Sequence, residues 1–197
     1  MKNIFTFTLL ILTIACSNSD TQEAKTETAT TVSEEIPKEK NSKNISYGNL
    51  FDNYKCDISS SEVSKVMQIN ESDFTLVNDE KRCKIQLKGY GNASLTWGST
   101  PGSKKSNKKI ISDQLEYKAK NLSIAKMTIE LSEDKNCYLW YQPMHGRIIL
   151  LSENYDQAIS LSYGTKNASN KRTDEQQADL KQKMADMANY LLEKHRQ

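Results

Sequence analysis

The chain is 197 residues long, 26% charged and 37% hydrophobic, with a formal net charge of +2. That length accommodates one domain plus a tether, and a charge so near balance supplies no whole-molecule field to draw in nucleic acid. Beyond the apolar stretch at the N-terminus, no second run is long enough to cross a bilayer.

Lys2 opens a short basic region, and Ile4 to Ile14 form an apolar run. About eleven residues make a helix of only ~17 Å, against ~30 Å of hydrocarbon. Residues 1–15 therefore read as a secretory signal peptide, removed on maturation and excluded from the fold. The end of the run, Leu12-Thr13-Ile14-Ala15-Cys16, resembles the lipobox of bacterial lipoproteins, although Thr13 stands where that motif usually has leucine. In those proteins the cysteine is lipidated and becomes the mature N-terminus. The resemblance implies a cell-envelope lipoprotein, periplasmic or surface-exposed, held on the membrane through the lipid on Cys16. An ordinary signal peptide with an incidental cysteine is the alternative.

Residues 16–46 lack aromatics and carry few branched apolar side chains beyond Val32, Ile36 and Ile45. Too little apolar surface is available to offset ordering entropy, so this segment is expected to be a disordered tether. A globular domain should occupy 47–197. Tyr47, Leu50, Phe51 and Tyr54 lead to Cys56, and Ser59 with Glu62 then forms a capping box, each side chain satisfying an orphan backbone donor. Val63, Val66 and Met67 give the following short helix one apolar stripe.

The period then changes to two. Phe74 and Leu76, then Cys83, Ile85 and Leu87, then Ala93, Leu95 and Trp97 alternate with polar neighbours, with turns at Asn78-Asp79-Glu80 and Gly89-Tyr90-Gly91. This predicts an antiparallel meander of three strands. Ser99 to Gly102 reads as a loop continuing through Lys104, Lys105, Lys108 and Lys109. Ile111, Leu115, Ala119 and Leu122 predict a helix over about 110–121.

Alternation returns at Ala125, Met127, Ile129 and Leu131. A polar turn, Glu133 to Asn136, follows, and then three further strands: CYLWYQP, GRIILL and QAISLSYG. Thr173 with Gln176 repeats the capping-box pattern, and Leu180, Met184, Met187 and Leu191 mark one face of a long last helix reaching about His195. Runs of strands between isolated helices predict a single-domain α+β fold: an antiparallel β-sheet flanked by helices, with a long C-terminal helix.

With Cys16 lipidated, Cys56, Cys83 and Cys137 remain. None lies in a C-x-x-C pair or has a histidine at ligand spacing, so neither a metal site nor a cofactor is expected. The run Cys56-Asp57-Ile58-Ser59 through Glu62-Val63, with Cys83 inside a strand and an aromatic strand later, resembles certain small bacterial lipoprotein domains of unknown function. The likeness covers roughly Tyr47 to Trp97. It implies that the cysteine before the capped helix bridges the strand cysteine, Cys56 to Cys83, in an envelope lipoprotein; it implies no activity. Such a bridge would also pin the helix start to the second strand, and an exported location favours one disulfide. Cys83 with Cys137 is the competing pairing.

Candidate functional residues are few. His145 beside Gly146 has Glu153 and Asp156 as acidic partners for a general base, the arrangement a secreted hydrolase would need; a hairpin turn is the simpler reading. Ser123-Ile124-Ala125-Lys126 matches Ser-x-x-Lys without the companion motifs of the penicillin-binding enzymes, and Gly89-x-Gly91 lacks the third glycine of a nucleotide loop. The aromatics Tyr138, Trp140, Tyr141 and Tyr155 form the best candidate binding surface, planar groups able to stack on sugars or anchor a protein, unless they pack beneath a helix. The four lysines at 104–109 suit anionic headgroups or a solvated loop. The expectation is a lipid-anchored, non-catalytic envelope protein that binds a protein, peptide or glycan, an inhibitor or immunity role included; the alternative is a secreted, lipid-anchored hydrolase built around His145.

Overall fold

The two-residue alternation read along the chain becomes seven strands. They are β1 (Phe74–Asp79), β2 (Arg82–Leu87), β3 (Ser94–Thr100), β4 (Thr128–Leu131), β5 (Tyr138–Gln142), β6 (Arg147–Leu151) and β7 (Ala158–Ser162). The computed structural model describes residues 45–91, 93–167 and 169–197. The predicted signal peptide, Cys16 and nearly all of the predicted tether lie outside them. The strands form one antiparallel sheet in the order β1-β2-β3-β7-β6-β5-β4. After the first meander the chain passes through a helix to the far edge, and a second meander returns to set β7 against β3.

Among the described residues, four α-helices cover the sheet: α1 (Gly48–Phe51), α2 (Ser60–Met67), α3 (Lys104–Ala119) and α4 (Asp174–His195). The fold is α+β in a single domain, as the pattern of strands and helices predicts. On one face Ile85, Leu95, Trp97, Ile148, Leu161 and Tyr163 are buried against Phe51, Val63, Met67 and the Leu180, Met184, Met187 and Leu191 stripe of α4. Burial of that stripe makes the long helix part of the core rather than a surface element. Both predicted capping boxes are formed, Ser59 with Glu62 on α2 and Thr173 with Gln176 on α4.

Cys56 and Cys83 form a disulfide with Cα atoms 5.3 Å apart, joining the approach to α2 to β2, and Cys137 is a buried free thiol. The opposite face carries a smaller core of Ile111, Ile129, Ile149, Leu151 and Ala158 beneath α3, over the β4–β6 half of the sheet. Its other half is polar, with Arg82, Lys84, Thr96 and Ser160 in register across β2, β3 and β7.

Two segment starts differ from the sequence reading, and the apolar segment before Cys56 contains a helix, α1, that it does not predict. The helix expected over 110–121 runs from Lys104 to Ala119, and so includes the lysines read as a loop. Ser103 and Ser106 cap it reciprocally, Lys104 N–H donates to Asp156 Oδ1 at 2.8 Å, and buried Asn107 donates to the Tyr155 carbonyl at 2.9 Å. These polar contacts start the helix where no apolar periodicity announces it. The domain also begins slightly earlier than Tyr47: Ile45 packs on the core, and Ser46 exchanges backbone hydrogen bonds with Gln197 at 3.1 and 3.0 Å. The chain thus enters the domain beside its own C-terminus.

Candidate functional site

The four aromatics expected to share a binding surface are divided by the sheet. Tyr138 and Trp140 point from β5 to the α3 side, half-buried against the smaller core. Tyr141, the next residue after Trp140, points through to the main core, where Lys181 Nζ lies 4.5 Å from its ring centroid. Tyr155, in the β6–β7 turn, stacks on Phe51 with centroids 4.8 Å apart and accepts a hydrogen bond from Tyr47 N–H at 2.7 Å. Two of the aromatics pack under α3, one fills the main core and one clamps the domain entrance. They are brought together in no common patch.

His145 is exposed on a short 3-10 turn, Pro143–His145, which leads through Gly146 into β6. Glu153 and Asp156 lie beyond the other end of β6, and Asp156 is committed to the N-terminus of α3. A five-residue strand separates them by ~17 Å, so the histidine–carboxylate arrangement proposed from sequence is not assembled. Ser123 and Lys126 are both exposed in the loop after α3. The Cys137 thiol is pushed well above its ordinary pKa by burial, the state of an inert core cysteine. Among the described residues there is no group of three His, Cys, Asp or Glu side chains able to hold a metal.

A different site emerges between the C-terminal turns of α3 and the outer edge of β4. Gln114, Tyr117 and Lys118 from the helix, Asn121, Leu122 and Met127 from the connecting loop, and Thr128 to Glu130 from the strand enclose a cleft of about 310 Å³. Its lining is largely apolar, and its volume is at the lower end of ligand-sized pockets. The loop carries three non-glycine residues with left-handed backbone, Asn121 (φ 52°), Ala125 (φ 51°) and Lys126 (φ 58°). Side-chain crowding makes each unfavourable, and such strain is concentrated at functional segments. The loop holds apolar side chains out of the core: Leu122 is 54% exposed and Ile124 53%, and Met144, on the β5–β6 turn at the same end of the sheet, is 62% exposed.

The sequence reading placed Leu122 on a helix face and began a strand at Ala125. Instead α3 stops at Ala119 and β4 starts at Thr128, leaving this segment as the cleft's rim. No local pattern marks it, because Leu122 continues the helical spacing of Ile111, Leu115 and Ala119, and Ala125 opens an alternation.

A larger cleft, about 690 Å³, lies at the opposite end of the sheet among Asp52, Tyr54, Lys55, Glu80, Pro101 and Asp156. Several of its polar groups already serve the fold. Asp156 caps α3, the Glu80 carbonyl accepts from Cys56 N–H, and Ser99 donates to Gln157. It also adjoins the β6–β7 turn, where Tyr155 holds the chain entrance. The smaller cleft has the more apolar lining and an exposed apolar rim, as a recognition site would.

Compared with protein-family models, curated proteins and solved structures, the chain matches none.

Proposed function

We propose that this chain is a bacterial envelope lipoprotein, lipidated on Cys16, whose folded domain is a non-catalytic binding module that engages a protein or peptide partner at the α3–β4 cleft. The observation that carries the reading is polarity. The chain enters at Ser46, paired with Gln197 and held by Tyr155 in the β6–β7 turn. The cleft lies where β4 begins and β5 ends, at the other end of the sheet, with Leu122 in its lining and exposed Ile124 and Met144 at the same end. A domain tethered at one end and apolar at the other presents its sticky surface away from the anchor.

Three further features support the reading. The Ile4–Ile14 run ends in Ala15-Cys16 at signal-peptide length. A disulfide between Cys56 and Cys83 suits an oxidising, exported compartment. The predominantly apolar cleft favours a peptide side chain over a sugar, which needs a flat aromatic platform; the aromatics that would have supplied one are packed elsewhere.

The test is a Cys16→Ser variant expressed in a bacterium that processes lipoproteins. The expected result is loss of radiolabelled palmitate incorporation and release of the domain from the membrane fraction. Unchanged membrane retention would refute the anchoring. A photo-crosslinking residue at position 122 should capture an envelope protein when one at exposed Val77, on the far edge of the sheet, does not. Equal capture from both positions would remove the cleft from the proposal.

A further inference from the structure

β4 is an edge strand, and its outward backbone groups can be counted one by one. Ser132 N–H donates to the Cys137 carbonyl at 2.9 Å, so even-numbered residues of this strand face β5. Odd-numbered ones face outward. Along that outer edge Met127 N–H is closed by the Ile124 carbonyl at 3.0 Å, and Glu133 N–H by Asn189 Oδ1 at 3.2 Å. The Ile129 carbonyl is met by Lys118 Nζ at 3.3 Å. Among the described residues, Ile129 N–H and both groups of Leu131 have no hydrogen-bond partner; Leu131 is 53% exposed, whereas Ile129 is buried next to the Lys118 contact.

An edge strand with exposed, unpaired backbone at Leu131 is a starting point from which an extended peptide can add as a further strand. Side chains of an added strand alternate between the two faces of the sheet. Those on the α3 side would enter the cleft against Tyr117, Leu122 and Ile129. Charge selects among such peptides. Lys118 and Lys126 have no carboxylate partner among the described residues, whereas Lys120 is paired with Glu116. The one carboxylate of β4, Glu130, borders the cleft, but its side chain is on the main-core face with Tyr141 as partner.

Resting on the reading of the domain as a binding module, we propose that the β4 edge and its cleft recognise an extended acidic–apolar peptide by strand addition. Leu131 supplies the first backbone pairing, Ile129 joins it once Lys118 has moved, and the cleft takes one apolar side chain. Lys118 leaves the Ile129 carbonyl for a carboxylate of the incoming strand. In the free protein the same lysine occupies the edge and discourages unspecific pairing, the usual role of an edge lysine.

The probe is a random nonapeptide library displayed on phage, panned against the purified full-length protein in detergent. Enriched sequences should carry an acidic residue close to alternating apolar ones. A labelled copy of the enriched peptide should shift the amide resonances of Ile129 and Leu131. Its affinity, read by fluorescence anisotropy, should fall at least about tenfold in Leu131→Pro, which removes an outward N–H but no bond of the sheet. Leu122→Asp, at an exposed site, should weaken it similarly, and Lys118→Glu should turn the selected peptides from acidic to basic.

The proposal is overturned by an absence of enrichment over bare beads, or by a selected peptide that binds Leu131→Pro and Leu122→Asp as tightly as the parent. It is equally overturned by a concentration-dependent dimer of the parent that Leu131→Pro abolishes, which would assign the edge to a second copy of the chain. None of these outcomes depends on Cys16. A failure of the lipid anchor, read by fractionation, is therefore distinguishable from a failure of peptide recognition.

Discussion

Glu62 shows how much can rest on one side chain. As the third residue of α2 its carboxylate accepts from Ser59 N–H at 2.7 Å, and it also receives the Tyr190 hydroxyl and Lys194 Nζ, the latter at 2.9 Å, from α4. The capping box is thereby extended into a clamp between two helices. The Tyr190 hydrogen bond, with smaller help from Ser59 and Lys194 and against the cost of burial, lowers the pKa from its ordinary 4.5 to about 2. A carboxylate whose folded pKa lies below its unfolded one stabilises fully above the unfolded value. That stabilisation is lost as pH falls from about 4.5 toward about 2. Glu62→Gln should lower stability at pH 7 by about 1–2 kcal/mol, the scale of weakened charge-assisted hydrogen bonds. It should also flatten the acid limb. Urea unfolding of both proteins at pH 7 and pH 2 checks this, and a gap as large at pH 2 as at pH 7 would contradict it. The Ser59–Glu62 box was legible from spacing alone. The Tyr190 and Lys194 partners, more than a hundred residues away, were not, because nothing local in the chain encodes which helix will lie across α2.

Among the elements, α3 is built against its own dipole. Lys104 and Lys105 occupy its first turn, and no acidic residue does, although the N-terminal end of a helix favours negative charge. What offsets this comes from outside the helix: the Ser103 cap, the Asp156 carboxylate on Lys104 N–H, and Asn107 bound to the β6–β7 turn. Ser103→Ala should therefore cost about 1 kcal/mol, and Lys105→Glu should raise stability by about 0.3–1 kcal/mol. Thermal denaturation of the two variants reads both, and a stabilising Ser103→Ala would show that the cap contributes nothing. The same element explains why its start was misread. Its N-terminal turns carry a single buried residue, and that residue is polar Asn107, so hydrophobic periodicity begins only at Ile111. The aromatics of β5 fail as a group for the converse reason. Strand alternation separates Tyr141 from Tyr138 and Trp140 by rule, but only the position of α3 decides that the latter two are covered.

At the scale of the whole molecule, the Cys56–Cys83 bridge ties the segment before α2 to the second strand across a separation of 27 residues. Loop-closure arithmetic puts its contribution at ~3.5 kcal/mol relative to the reduced chain. Reduction, or Cys56→Ser with Cys83→Ser, should lower the urea midpoint accordingly while leaving the Cys137 thiol protected from alkylation in the folded state. A midpoint unchanged by reduction would mean that the bridge constrains nothing the core does not already hold.

The sequence by itself determined the alternation of seven strands, their order with α2, α3 and α4, the capping boxes of α2 and α4, and the buried stripe of α4. Each of these is a local pattern set by backbone periodicity and side-chain polarity within a few residues. Only the tertiary structure decided that the second meander returns to place β7 beside β3, leaving β4 at an edge. It alone decided that Asp156 serves α3 rather than His145, and that the loop after α3 leaves a cleft beside that edge. These outcomes depend on contacts between segments distant along the chain, whose geometry is chosen by how two sheet faces of unequal hydrophobicity can both be covered.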